Sequence, residues 1–204
     1  MEPDAVEIRV LGCLVEKQRT TPDAYPLSLN ALRLACNQST NRDPVVDYDE
    51  PTIRAALDHL SRRGWVRLAS GAGSRAVKYR HLLDEALPVS GAELSLLAVL
   101  MLRGAQTPGE LKGRTERLHA FESLTEVDEA LATLIGREMV ARLPRRPGQK
   151  EERFVQLLGG EAPAPESTAT APAAAPADDR LDDLERRVAR LEAALAELRR
   201  PQAP

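Results

Sequence analysis

The chain is poor in cysteine and aromatic residues, and it has no long apolar run. Only 3% of its 204 residues are aromatic, and it has two cysteines, Cys13 and Cys36. Two cysteines are too few for a disulfide framework or a four-ligand zinc site. The longest apolar run, at 94–102, is too short to span a bilayer, and the N-terminus has no basic and apolar signal. We therefore expect a protein of the reducing cytoplasm that makes no contact with a membrane.

Motifs for catalysis are missing as well. The three histidines, His59, His81 and His119, are scattered, and the sequence has no H-E-x-x-H motif, nucleophile elbow or phosphate-cradling glycine loop. The acidic residues at 47–50 could suggest a metal site, but helix capping and loop hydrogen bonds explain them without a metal. We expect no enzyme activity, no cofactor and no bound metal.

One stretch, residues 49–80, organises the rest of the chain. Asp49 and Pro51 mark a helix start, and Gly64 marks its end. Between them, four apolar residues recur at helical spacing: Ile53, Ala56, Leu57 and Leu60. The segments 65–68 and 76–79, joined by a Gly/Ser loop, predict a β-hairpin. A helix followed directly by a basic hairpin is typical of the recognition helix and wing of a winged-helix domain.

Two further helices are predicted before this stretch. The first spans 6–17, the second spans 27–36, and a polar segment at 37–48 leads to the third helix. The order of helix, helix, helix and hairpin is the one expected of a winged helix-turn-helix.

The pattern then recurs. Four positions of the first helix and its following turn return 86 residues later: Leu11, Leu14, Thr21 and Pro22 as Leu97, Leu100, Thr107 and Pro108. Five positions of the third helix and hairpin return 74 residues later: Ile53, Ala56, Leu57, Leu60 and Val66 as Val127, Ala130, Leu131, Leu134 and Val140. We therefore predict a mainly α fold with small β-hairpins, in which winged-helix domains at 1–84 and 85–158 stand in tandem.

Local signals give the boundaries of the second copy. Ser90-x-x-Glu93 and Thr125-x-x-Asp128 resemble capping boxes and predict two helix starts. A second hairpin is predicted from strands at 140–143 and 153–157.

The composition changes after residue 158. Residues 159–177 are rich in alanine and proline, so we expect a flexible linker. Residues 178–200 have apolar residues at alternating spacings of three and four: Leu181, Leu184, Val188, Leu191, Leu195 and Leu198. This heptad pattern predicts a coiled-coil helix that self-associates as a parallel dimer. The alternative is a single surface helix packed back on the body.

The sequence resembles a known family. The run Y-P-L-S-L-N-A-L-R-L-A-C-N-Q-S-T-N-R-D-P-V-V, which begins at Tyr25, and the residues Tyr48, Asp49 and Glu50 are similar to the signature of the YceH-like family. The run L-G-C-L-V-E-K-Q at 11–18 matches its first helix. The resemblance covers about residues 4–158 and implies two winged-helix domains in a bacterial protein of uncharacterised function. It implies no activity, and the alanine-proline segment departs from it.

Positive charge is concentrated where winged helices contact DNA. The whole chain has a net charge of −3 and a sequence pI near 5.7, whereas residues 50–84 carry a net charge of +4 and residues 142–153 a net charge of +3. Local basic surfaces of this kind can bind phosphates on an acidic protein. The alternative is that these arginines form an ordinary solvated face.

The candidate DNA-binding residues belong to the first copy: Thr52, Arg54, His59, Arg62, Arg75, Lys78 and Arg42. Arg54 and His59 could read base edges, and Thr52 could contact a phosphate or a thymine methyl group. Arg75 and Lys78, in the wing, are placed to reach phosphates. The polar segment 37–42 could donate to phosphates or merely satisfy its own loop.

Two functions therefore stay open. The first is a non-catalytic, transcription-associated protein that binds double-stranded DNA through its tandem winged helices. The second is a protein–protein adaptor built on winged helices, without direct DNA binding. The acidic third helix of the second copy, at 126–129, favours a protein partner there, because anionic side chains repel phosphates.

Overall fold

The computed structural model describes residues 2–69, 77–145 and 151–160. Seven helices follow one another there: α1 (Ala5–Thr20), α2 (Leu29–Cys36), α3 (Glu50–Arg62), α4 (Leu83–Ala86), α5 (Gly91–Arg103), α6 (Pro108–Thr115) and α7 (Leu124–Gly136). Five short strands accompany them: β1 (Leu27–Ser28), β2 (Val66–Leu68), β3 (Lys78–His81), β4 (Val140–Leu143) and β5 (Arg153–Gln156). The prediction of a mainly α fold with small antiparallel hairpins is confirmed.

We call residues 2–84 the first half and residues 85–160 the second half. Three helices and an antiparallel hairpin occur in the same order in each half. The assignment of both halves as winged-helix domains stays a prediction from the sequence. The predicted linker at 159–177, apart from its first two residues, and the predicted coiled coil at 178–200 lie outside the described residues.

The predicted limits of α3 are confirmed. The Asp49 carboxylate accepts a hydrogen bond from the backbone N–H of Thr52, with an N···O distance of 2.9 Å, so one free donor of the first turn is satisfied. Gly64 follows the last turn with a φ of 76°, a left-handed conformation that glycine adopts without strain. The chain can therefore turn sharply from α3 into β2.

The second helix begins two residues later than predicted. Leu27 and Ser28 form β1, which pairs antiparallel with β3 and gives a three-stranded sheet in the order β1-β3-β2. Ser28 then caps α2, because its hydroxyl accepts a hydrogen bond from the N–H of Ala31. A two-residue strand has no periodicity of its own, which is why its apolar residue was assigned to the helix.

Capping confirms one predicted helix start in the second half and corrects the other. Ser90 and Glu93 form the predicted capping box of α5. The prediction from Thr125 and Asp128 is wrong. The cap of α7 is Ser123, whose hydroxyl accepts a hydrogen bond from the N–H of Glu126 at 3.2 Å.

The two Thr-Pro pairs do not occupy equivalent positions, although they appear to match in the sequence. Thr21 and Pro22 begin a 3-10 turn, whereas Thr107 and Pro108 begin α6. The structural equivalent of β1 is Gln106, which bridges to Phe154 on β5 just before α6 begins. The first half therefore has extra chain between its first two helices.

Both halves share one hydrophobic core. Helix α1 packs along α5, and buried residues of both helices belong to a single apolar cluster. Gly12 makes the close approach possible, because a methyl group there would lie 2.9 Å from Cγ of Leu102 and 3.1 Å from Cβ of Met101. One continuous core therefore supports the outer surfaces of both halves.

Candidate nucleic-acid interface

Helix α3 separates its apolar face from its polar face as the spacing predicts. Its four stripe residues, Ile53, Ala56, Leu57 and Leu60, are at most 5% exposed. Arg54, His59 and Arg62 lie on the exposed side, and Thr52 is half-buried. An amphipathic helix that buries its apolar stripe exposes its polar face to solvent. The sequence thus predicted which residues of α3 can meet a ligand.

Four cationic side chains of this region have no partner among the described residues. Arg54 and Arg62 are exposed on α3, Arg67 is exposed on β2, and Lys78 is half-buried on β3. None of the four makes a side-chain hydrogen bond or an ion pair with another residue in the described ranges. An anionic ligand can therefore bind them without first breaking an internal ion pair. We call these four the α3-hairpin cations.

Thr52 and His59 are already engaged within the protein. Hydrogen bonds from the Thr52 hydroxyl and backbone N–H hold the pKa of the Asp49 carboxyl below its ordinary value. The His59 ring places Nδ1 3.2 Å from a carboxylate oxygen of Glu7, near the start of α1. Thr52 thus takes part in the capping of α3 and His59 connects α3 to α1, so both are less available to DNA than the sequence indicates. Arg75, the predicted loop contact, lies outside the described residues.

Arg42 does not lie on the predicted DNA-facing surface. Its side chain is fully buried, and its guanidinium donates to both carboxylate oxygens of Glu16 at 2.6 and 3.0 Å. It also donates to the backbone carbonyls of Ala35 and Asn41 and to the Gln38 side chain. Arg42 therefore holds the segment between α2 and α3 against α1, and we remove it from the candidate interface.

The arrangement around Arg42 is a buried ion pair. Burial alone favours the neutral acid, but the guanidinium of Arg42 holds the pKa of Glu16 below its ordinary value. Sequence analysis missed this role because the two residues are 26 positions apart and occur in different elements. No local motif connects them.

In the second half, the described arginines of the corresponding surface form ion pairs within the protein. Arg142 and Arg145 lie near the end of the β4 strand, and their guanidinium nitrogens are 3.2 and 3.8 Å from the Glu152 carboxylate. Arg153 on β5 pairs with Glu110 of α6 at 2.8 Å. Although residues 142–153 have a positive net charge, the described arginines among them share nearby carboxylates.

Helix α7 adds negative charge to the same side of the second half. Asp128 and Glu129 are exposed, and Glu126 is half-buried. Leu124, also on α7, is 49% exposed and lines a cleft of about 510 Å³ together with residues of α6 and β4. This surface suits a phosphate backbone poorly, because its carboxylates would repel it.

The described residues form neither a candidate metal site nor a membrane-spanning helix. Within the ranges 2–69, 77–145 and 151–160, no group of three histidine, cysteine, aspartate or glutamate side chains could hold a metal ion. None of the described helices combines the length and the apolar character needed to cross a bilayer.

Comparison with known proteins identifies relatives over most of the chain. A family model described as "Protein of unknown function, DUF480" matches residues 4–149. A UPF0502 protein of Geotalea uraniireducens (strain Rf4) is 47% identical over 196 residues, which cover 95% of this chain and 89% of the relative. A UPF0502 protein of Citrifermentans bemidjiense is 55% identical over 160 residues, or 78% of this chain and 74% of the relative. The UPF0502 protein YceH of Salmonella newport (strain SL254) is 43% identical over 205 residues, or 97% and 93%.

Proposed function

The chain belongs to the DUF480 family, and from the geometry of its first half we propose that it is a non-catalytic DNA-binding protein built from two winged-helix halves. The observation that carries this proposal is the set of α3-hairpin cations, which are exposed or half-buried and have no partner among the described residues. When such cations neutralise DNA phosphates, the counterions of the DNA are released into solution. This release is a large and often dominant source of affinity in protein–DNA complexes.

Helix α3 is the element that we assign to the major groove. Arg54 lies in its second turn, on the face opposite the buried stripe. A guanidinium in that position can donate two hydrogen bonds to the edge of a guanine. Arg62 at the other end of α3, and Arg67 and Lys78 on the hairpin, are assigned to phosphates on either side of the groove.

The acidic balance of the chain limits the strength of this binding. With a net charge of −3, the chain lacks the general basic surface of a protein that coats DNA. Affinity should come from one localised patch, and binding should weaken steeply as salt rises. We propose a site-selective role associated with transcription, in the cytoplasm, in preference to a packaging role.

The test is a fluorescence titration of the full chain on random duplex and on a selected site, at several salt concentrations. Lys78→Ala should weaken binding equally on both duplexes and lower the log-log salt slope by about 0.9. Arg54→Ala should cost about 1–3 kcal/mol on the selected site and relax its sequence preference. Arg142→Ala is the matched control, because that exposed arginine is already paired with Glu152.

Two results would end the proposal. One is the absence of wild-type binding at low salt. The other is equal binding by wild type, Arg54→Ala and Lys78→Ala at every salt concentration. Either result would leave the cations of the first half as a solvated face.

A protein–protein adaptor is the second candidate function. It is favoured by the second half, where acidic residues of α7 surround an exposed leucine, Leu124, beside the cleft of about 510 Å³. Aromatic and aliphatic anchors of a partner commonly bind in such clefts. If DNA binding fails, this surface becomes the leading candidate, and Leu124→Asp is the variant that should disrupt its partner complex.

Self-association stays a sequence-based proposal, because the heptad segment 178–200 lies outside the described residues. Sedimentation of the full chain and of a chain ending at Gly160 at micromolar concentration tests it. A dimer mass for the full chain alone is the expected result. The same monomer mass for both would show that the heptad pattern does not produce a dimer.

A further inference from the structure

A cleft lies between the two halves, away from the outward face of α3. Its volume is about 380 Å³, within the range of small-molecule sites. The elements that form it are α1, the segment after α2, α5 and the end of α6. Its main lining residues are Lys17, Asn41, Leu102, Arg103, Arg114 and Leu118. A second, polar recess of about 240 Å³ adjoins it and shares Asn41, Arg103 and Arg114.

Cations outnumber carboxylates in the lining of the cleft, which has four cations, Lys17, Arg103, Arg114 and Arg117, and two carboxylates, Glu16 and Glu116. Glu16 serves two cations, with N···O distances of 2.6 Å to Arg42 and 3.3 Å to Lys17. Glu110 likewise serves two, at 2.8 Å to Arg153 and 3.5 Å to Arg114. Each of these two carboxylates, Glu16 and Glu110, is therefore already shared by two cations, and neither pairs with Arg103.

Arg103 is one of two cations, with Arg117, that line the cleft and form no ion pair in the described part of the chain. Its guanidinium donates to the side-chain oxygen of Asn41, and it forms no ion pair with any residue in the described ranges. Burial and the positive charges of Arg114 and Arg42 lower the pKa of Arg103. A half-buried cation beside other cations is destabilised by their repulsion, which an added anion would relieve.

The cleft combines this excess of positive charge with an apolar wall. Val99, Leu102 and Leu118 line it together with the cationic side chains. A free inorganic ion would use only the cations, whereas a small organic anion would use both parts. Arginine donates paired hydrogen bonds that match phosphate and carboxylate oxygens. A phosphate monoester carries close to two negative charges at pH 7, which suits several cations lining one cleft.

We propose that this cleft binds a small organic phosphate monoester, with Arg103 and Arg114 contacting the phosphate and the apolar wall contacting the organic group. Lys17 of α1 supplies a third cation from the first half, so the ligand bridges both halves. The site is independent of the α3-hairpin cations and does not require the protein to bind DNA.

The experiment is calorimetric titration of the full chain with phenyl phosphate, inorganic phosphate and sodium benzoate at matched ionic strength. Phenyl phosphate should bind at one saturable site and more tightly than either of the other two anions. Arg103→Gln and Arg114→Gln should each weaken its binding by roughly tenfold or more. Arg142→Gln, an exposed arginine at the second hairpin, should leave the binding unchanged.

A melting curve without ligand separates a binding role from a structural one. Arg103→Gln should melt at or above the wild-type temperature, because it removes a cation that its neighbours repel. A lower melting temperature with unchanged phenyl phosphate affinity would mean that Arg103 is only structural, and the proposal would be wrong.

Two other outcomes would also overturn it. Phenyl phosphate that fails to saturate below roughly 10 mM, a concentration at which even very weak sites are filled, would show that no ligand site exists. A loss of DNA affinity in Arg103→Gln as large as in Arg54→Ala, with no phenyl phosphate binding, would make the cleft part of a DNA-backbone contact instead.

Discussion

The two halves have the same order of elements but place their arginines in opposite electrostatic settings. In the first half, Arg54, Arg62 and Arg67 are exposed and have no described partner. In the second half, Arg142 and Arg145 share the Glu152 carboxylate. Net charge alone makes the two hairpin regions look alike. Among the described residues, only the first of them has cations that form no ion pair.

The comparison depends on both halves being parts of one folded body. Because α1 packs along α5, the core that positions α3 also supports α7. A substitution at the junction should therefore disturb both surfaces, whereas a surface substitution should disturb only one. This distinction gives three predictions, in order of decreasing effect.

The largest effect is expected from Leu97→Ala in α5, the helix that packs along α1. Leu97 on α5 is fully buried, and removing its side chain leaves a cavity that should lower the free energy of unfolding by about 2–5 kcal/mol. Denaturant unfolding followed by circular dichroism should still show a single transition. Leu34→Ala is the control, because Leu34 is 56% exposed and its loss should cost less than about 0.5 kcal/mol. Two separate transitions would mean that the halves fold independently.

The next effect concerns His81, which is fully buried in the first half. Its Nδ1 accepts a hydrogen bond from the N–H of Leu83, so the proton lies on Nε2, which donates to Gln18 at 2.7 Å. Burial is the main cause that lowers the pKa of His81 to about 4, with Arg80 and Arg19 adding to the shift and Asp84 opposing it. The folded state therefore binds this proton at a lower pH than the unfolded state does.

The stability that neutral His81 contributes should decrease as the pH falls. The contribution of neutral His81 is fully present above about pH 6.5 and is lost as the pH falls towards 4, for a total of about 3 kcal/mol. Urea unfolding of wild type and His81→Gln at several pH values should show this loss in the wild type only. His119→Gln is the control in the second half, where the ring is 38% exposed. Parallel pH profiles for wild type and His81→Gln would contradict the prediction.

The smallest effect is expected from Glu152→Gln, which should make the second hairpin resemble the first. It removes the shared carboxylate of Arg142 and Arg145, so DNA binding should strengthen and the salt slope should rise by up to about 0.9 per released arginine. Folding stability should change by less than about 1 kcal/mol, as for exposed ion pairs in general.

Glu129→Gln is the matched control for that variant. It changes the net charge by the same amount, but the Glu129 carboxylate pairs with no arginine in the described part of the chain. Glu152→Gln should therefore strengthen DNA binding more than Glu129→Gln. Equal effects of the two variants would show that net charge, and not the release of arginines, controls binding.

Helix periodicity and caps predicted most of the fold. The buried stripe of α3, its Asp49 cap and the turn at Gly64 could be predicted because all three are local signals. The strand β1 could not, because two residues carry no periodic pattern and its pairing with β3 spans 50 residues of chain.

The candidate site was harder to predict than the fold. Sequence reasoning correctly placed Arg54 and Arg62 on the outer face of α3, since helix geometry decides that position. It could not show that Arg42 is buried against Glu16, or that Glu152 pairs with two arginines of the second hairpin. Such pairs depend on tertiary contacts between segments, and a count of charges along the chain does not contain them.

Gly12 lies where α1 packs against α5, so its lack of a side chain helps to set the spacing of the two halves. A methyl group there would lie 2.9 Å from Cγ of Leu102 and 3.1 Å from Cβ of Met101, so Gly12→Ala should displace the Leu102 side chain and move α5 from α1 by a few tenths of an ångström. Because α3 packs on α1 and β5 packs on α5, this shift would change the distance between α3 and the second hairpin. The variant would keep every cation while changing their spacing, which separates the charge of the two surfaces from the distance between them.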